Sequence, residues 1–143
     1  MALELLAHYS IRTTRLAETR DFYVDVLGLT EGARPPFDFP GHWLYLGARD
    51  VVHLVGIDPN DPSGLKAYLG DKPLDGLSGS GSIDHVAFFA TDLPALMFRV
   101  EAHGAAVRHR TVPSLKLHQV FLEDPNGVTI ELNYPASEAP AAA

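Results

Sequence analysis

Read for the spacing of apolar and polar positions, the chain runs through the same succession of elements twice. Each half opens on a short strand that holds a histidine, Ala7-His8-Tyr9-Ser10-Ile11 in the first and Asp84-His85-Val86-Ala87-Phe88-Phe89 in the second. An amphipathic helix follows in each. The first begins near Thr14, carries Leu16, Thr19, Phe22, Tyr23 and Val26, and stops at Gly28. The second begins at Thr91 or Asp92 with Pro94 in its first turn, presents Leu93, Leu96, Met97 and Val100 on one face, and stops at Gly104. Each half then closes with a hairpin, His42 to Leu46 with Val51 to Val55, and Leu117 to Leu122 with Val128 to Asn133 around Asp124-Pro125-Asn126-Gly127. With weakly signalled second strands near residues 29–33 and 107–111, both halves read βαβββ. Equivalent positions keep a nearly constant offset: His8 and His85 are 77 apart, Gly28 and Gly104 76, His53 and Glu131 78.

Two changes in composition set the boundaries. Asp58 to Ser82 is rich in Asp, Pro, Ser and Gly and reads as a connector, and the Ala- and Pro-rich stretch after Tyr134 offers little to bury. The expected organisation is therefore module one over residues 1–57, a linker over 58–82, module two over 83–134 and a flexible tail over 135–143, in one domain overall. Composition agrees with a folded α+β chain, since 46% of the 143 residues are hydrophobic and 20% charged.

A formal net charge of −7 repels phosphate backbones and anionic lipid surfaces, which argues against nucleic acid and membranes and for a small-molecule partner. The absence of cysteine removes disulfides, thiol nucleophiles and thiolate metal sites, leaving His, Asp and Glu as the possible metal ligands. Neither a basic apolar leader nor a run of membrane-spanning length stands out, and the sequence is expected to be cytoplasmic.

The histidine after a short apolar start, the stretch Arg20-Asp21-Phe22-Tyr23-Val24-Asp25-Val26-Leu27-Gly28-Leu29, and the close Phe121-Leu122-Glu123-Asp124-Pro125-Asn126-Gly127-Val128-Thr129-Ile130-Glu131-Leu132 resemble the vicinal oxygen chelate superfamily. That superfamily includes glyoxalases, extradiol dioxygenases, fosfomycin-modifying enzymes and bleomycin-resistance proteins. The resemblance spans most of Leu5 to Tyr134. It implies two tandem βαβββ modules forming an open cup-shaped mixed sheet around one divalent metal, and a homodimer that hides the sheet edges. Carried over position by position, it gives His8, His85 and Glu131 as ligands and places His53 in the slot on the last strand of module one.

Two imidazoles and one carboxylate suit a divalent first-row cation, with Fe(II) or Mn(II) favoured and Zn(II), Ni(II) or Co(II) as alternatives, and they leave positions open for substrate. Strand alternation puts Thr129, Glu131 and Asn133 on one face, where an isolated buried carboxylate needs a partner. His53 is open to three roles: fourth ligand, base beside the site, or pocket wall. His42, His118, Tyr45 and Arg12 are candidates for substrate contact and proton transfer, the face of His118 depending on hairpin register. Pro35 to Gly41 is an aromatic loop that would cover an apolar substrate or pack across the sheet edge.

The His, His, Glu set resembles that of extradiol dioxygenases, although Phe121 stands where their longer signature has Tyr and two modules stand where they commonly have four. Glyoxalase-type isomerisation or thiol transfer is the competing enzyme class. A metal-free binding protein of the bleomycin-resistance type is the competing non-enzyme.

Overall fold

The computed structural model describes residues 2–58, 60–73 and 76–140. The chain divides into two units, Met1–Val24 with Gly28–Leu77, and Asp25–Leu27 with Ser78–Ala143. Each contains one four-stranded mixed sheet, and the chain is α+β, as the doubled βαβββ pattern predicts.

In the first unit, β1 (Tyr9–Thr13) leads into α1 (Leu16–Asp21), which continues as a π-helical segment through Phe22–Val26 and ends at Gly28 with φ +80°. Strands β2 (Thr30–Gly32), β3 (Gly41–Leu46) and β4 (Arg49–Gly56) complete the sheet in the order β1-β4-β3-β2, with β1 parallel to β4 and the other pairs antiparallel. Pairing places Tyr9, Ile11, Leu44, Val52 and Leu54 on one face, where Tyr23 meets Tyr9 and α1 packs against β4. Ser10, Trp43, His53 and Val55 share the opposite face.

The second unit repeats this topology. Strand β5 (Val86–Phe89) precedes helix α3 (Leu93–His103), followed by β6 (Arg108–Val112), β7 (Leu117–Glu123) and β8 (Thr129–Pro135), in the order β5-β8-β7-β6. Helix α3 starts as its sequence predicts, with the Asp92 side chain accepting from the Ala95 amide, and it ends at Gly104 in the left-handed conformation. The Asp124 carboxylate accepts from the Asn126 and Val128 amides, which shapes the β7–β8 turn. Its apolar face carries Val120, Leu122, Ile130, Leu132 and Tyr134, all nearly inaccessible to solvent.

Two expectations change. The connector over residues 58–82 is not structureless, because it contains helix α2 (Ser63–Leu69). Leu65 of that helix joins Phe39, Val55 and Ile57 in a small core that Phe37 and Leu69 pack against. Turn-forming composition on both sides of α2 masks a helix whose stability comes from aromatic partners distant in sequence. The tail is ordered in part: Ala136–Glu138 form a 3₁₀ turn, and the Glu138 carboxylate accepts from the Asp92 and Leu93 amides at the start of α3. Residues 141–143 of the expected tail, and residues 59, 74 and 75 of the expected linker, lie outside the described residues. No described helix is long and apolar enough to cross a membrane.

Candidate functional site

The first unit gathers its polar side chains around His53. That residue is only 7% exposed, and its imidazole lies between two other rings, Trp43 at 4.0 Å and His8 at 3.7 Å, both nearly parallel to it. Its Nε2 lies 2.6 Å from Oδ2 of Asp50. Burial pushes the His53 imidazole below its ordinary pKa, against the opposing pull of Asp50, and the same hydrogen bond holds the Asp50 carboxyl below its own ordinary value. A neutral ring that donates Nε2–H to Asp50 keeps its Nδ1 lone pair for another partner.

Asp50 escapes sequence reasoning for a geometric reason. Residues three apart on a regular strand point to opposite faces, but the pairing of β3 with β4 shifts from Leu44↔Val52 to Tyr45↔Asp50. Val51 is the extra residue of a bulge, and Asp50 thereby turns to the face of Trp43 and His53. Donor atoms of His8, Asp50 and His53 all lie within 4.8 Å of one another, a group that could hold a metal ion.

A cavity of about 100 Å³ opens beside His8 and His53. Its walls include Trp43, Phe37 and Phe39 from the aromatic loop, Tyr68 from α2, and Arg34. Phe37 and Phe39 of the loop thus stand in the wall of this cavity.

In the second unit, β5 runs parallel to β8 with Ala87 opposite Glu131, and alternation brings His85, just before β5, to the Glu131 face. His85 Nε2 and Glu131 Oε1 are 3.6 Å apart. Two ligands with bonds of about 2.1 Å lie at most about 4.2 Å apart around one ion, so this pair fits a shared divalent cation. Each partner is oriented by neighbours the sequence did not single out. Asp84 Oδ1 lies 2.8 Å from His85 Nδ1, which leaves Nε2 toward Glu131. Asn133 donates from Nδ2 to Glu131 Oε2 at 2.8 Å, and Gln119 donates from Nε2 to Asn133 Oδ1 at 2.9 Å. The adjacency of Asp84 to His85, and of Asn133 to Glu131 at period two, were the available signals.

Each of the four expected substrate-contact residues has a protein partner. His42 pairs with Leu54 on the apolar face, where its Nδ1 meets Glu31, itself bound by Arg20 of α1. These contacts hold Glu31 below the ordinary carboxylate range, Arg20 contributing most. Tyr45 donates its hydroxyl to the Ala33 carbonyl. Arg12 donates to the Pro73 carbonyl and does not line the aromatic cavity. For His118, which the sequence left undecided, the register His118↔Tyr134 selects the apolar face, opposite Glu131. There it contacts Thr111 and His109, and burial pushes its pKa down. His109 of β6 places its Nδ1 2.8 Å from Nε2 of His118.

Comparison with known proteins identifies the frame. The uncharacterized protein YaeR of Escherichia coli (strain K12) is 25% identical over 138 residues, 92% of this chain and 97% of that protein. Among solved structures, TnmS3, an antibiotic binding protein from Streptomyces sp. CB03234, superposes with a TM-score of 0.61 at 23% identity, covering 94% of this chain and 98% of that one. The lactoylglutathione lyase of Agrobacterium tumefaciens gives 0.60 at 21%, covering 96% and 98%. The fosfomycin resistance protein FosX of Listeria monocytogenes gives 0.64 at 12%, covering 92% and 93%. The likeness to these structures carries the fold, which serves metal-dependent enzymes and binding proteins alike. The corresponding family model matches residues 5–132, and the chain belongs to the Glyoxalase/Bleomycin resistance protein/Dioxygenase superfamily.

Proposed function

We propose that the chain is a divalent-metal-dependent enzyme acting on a small substrate that presents two adjacent oxygens, with extradiol-type cleavage of a catechol-like ring as the leading chemistry. The observation that carries this is the His85–Glu131 pair, whose donor atoms stand 3.6 Å apart and are each oriented by a second polar group. Fe(II) or Mn(II) is the favoured ion for an imidazole and a carboxylate that leave other positions open. A bound cation would supply Lewis-acid stabilisation of negative charge developing on the substrate oxygens. Asn133 fixes the Glu131 carboxylate, Gln119 fixes Asn133, and Asp84 selects the His85 tautomer. The aromatic cavity next to His8 supports a ring-bearing substrate.

Metal content of Glu131→Gln and Asp50→Asn tests the assignment, because the first change removes a charge from the proposed ligand set and the second from the His8, Asp50, His53 group. Glu131→Gln is expected to lose nearly all bound metal and to keep its metal-free melting temperature. Retention of metal by Glu131→Gln, with loss in Asp50→Asn, would move the ion to the first unit. Oxygen uptake by the Fe(II)-loaded chain with catechols, against conversion of glutathione hemithioacetals, separates ring cleavage from glyoxalase chemistry.

A further inference from the structure

The walls of the aromatic cavity hold a cation. Among the described residues, the lining includes Arg34 and the imidazoles of His8 and His53 but neither Asp nor Glu, the carboxylate of Asp50 lying behind His53 at 2.6 Å from its Nε2. Arg34 lies with its guanidinium carbon 5.1 Å from the ring centres of both Phe37 and Phe39, and it donates from Nη2 to the Phe39 carbonyl at 2.8 Å. Among the described residues no carboxylate forms an ion pair with it. Burial lowers its pKa from the ordinary value, but a guanidinium stays charged at neutral pH, so a half-buried charge lines the cavity with a fork of N–H donors. A side chain at residue 41 would collide with it: a Cβ on Gly41 would lie 3.0 Å from Nη2 and 3.1 Å from Nε. The guanidinium therefore lies across bare backbone, beside a wall of π faces.

Such an arrangement matches one kind of molecule. Phe37, Trp43 and Tyr68 offer flat apolar faces, and Phe37 makes tilted contacts with both of the others at ring-centre distances of 6.4 and 4.7 Å. The volume of about 100 Å³ is smaller than the roughly 150 Å³ of an apolar cavity that encloses benzene, so these walls cover at most one six-membered ring, with its outer edge left toward solvent. A fork of N–H donors at the edge of that space suits a planar anion.

The geometry points to a monocyclic aromatic carboxylate as the ligand of this cavity, its ring against Phe37, Trp43 and Tyr68 and its carboxylate on Arg34. The inference concerns the first unit's cavity alone and stands apart from the metal pair of the second unit.

The test uses the full chain after chelator treatment, with benzoate and its neutral isostere benzamide as calorimetric probes. Neither has two adjacent oxygens on its ring. Benzoate is expected to bind at least about tenfold more tightly than benzamide, as a charge-assisted pair requires. Arg34→Gln should bring benzoate down to the level of benzamide and leave benzamide unchanged, and Arg34→Lys should keep part of the preference. Equal binding of the two probes by the unaltered chain, binding of neither, or unchanged benzoate affinity in a folded Arg34→Gln would overturn the assignment. The ratio in the unaltered chain decides even if Arg34→Gln fails to fold. Benzoate preference in a chain that takes up no metal would defeat the enzyme proposal and leave the cavity assignment standing, and metal uptake without that preference would do the reverse.

Discussion

At corresponding places in the two units stand Leu44 and Leu122, Val52 and Ile130, Leu54 and Leu132 on the apolar face, but Trp43 and Phe121, His53 and Glu131, Val55 and Asn133, Gly41 and Gln119 on the other. The apolar sets are interchangeable in kind and nearly all inaccessible to solvent. On the opposite face each central side chain has an aromatic residue across from it, but the first unit adds further rings and Val55 around its imidazole, whereas the second adds the amides of Asn133 and Gln119 beside its carboxylate. Burial of a strand's apolar side stabilises either unit in the same way, so that side is constrained by volume and hydrophobicity. The opposite side answers to whatever it binds. A cation held by Glu131 calls for a polar, hydrogen-bonded surround, and an organic ring beside His53 calls for an apolar one.

The largest effect expected from this contrast is on the shared face. Leu54→Ala and Leu132→Ala should each destabilise the chain by about 2–5 kcal/mol in urea unfolding, with similar values in both units. A loss confined to one of them would show that the two apolar faces are not equivalent. A smaller and more selective effect is expected from Asn133→Val, which gives the second unit the residue found at Val55. Metal affinity should fall by about tenfold or more because Glu131 loses the amide that orients it, while secondary structure by circular dichroism persists. Unchanged affinity would mean that the surround of Glu131 is packing alone.

The smallest effect separates the two apolar-face histidines. His42 is matched with Glu31, whereas His118 meets Thr111 and another imidazole. Burial lowers the pKa of His118 in the folded chain, its neighbour His109 adding to the shift, so the unfolded chain takes up this proton first as pH falls. The stability it contributes is full above the ordinary histidine value of 6.5 and is lost as pH drops from there toward the lower folded value. His118→Gln should flatten the fall in unfolding free energy between pH 7 and 5 relative to the unaltered chain. A parallel pH profile in both proteins would assign the dependence to other groups.

What the sequence made legible follows the same division. The doubled βαβββ frame, the Asp92 cap, the stops at Gly28 and Gly104 and the Asp124 turn all depend on local preferences or on period, and they stand where the residues indicate. Face assignments depended on register, and there the outcome was mixed. Glu131 and Asn133 share their expected face, but His42 and His118 turned to the apolar side because pairing fixes parity and parity cannot be read from one strand. Helix α2 and the Glu138 contact with α3 were hidden for another reason: both are stabilised by residues more than twenty positions away.

The bulge at Val51 has a consequence for how this site can change over generations. A substitution at Asp50 alters one side chain, but one residue inserted into β3 opposite Val51 would pair the bulge away, restore regular alternation with Asp50 three positions from His53, and swing Asp50 to the other side of the sheet. Chemistry at this corner is thus encoded by the length of a strand as much as by the letters in it. A relative could keep Asp, His and Trp in order and still lack the group, through the gain of a single codon.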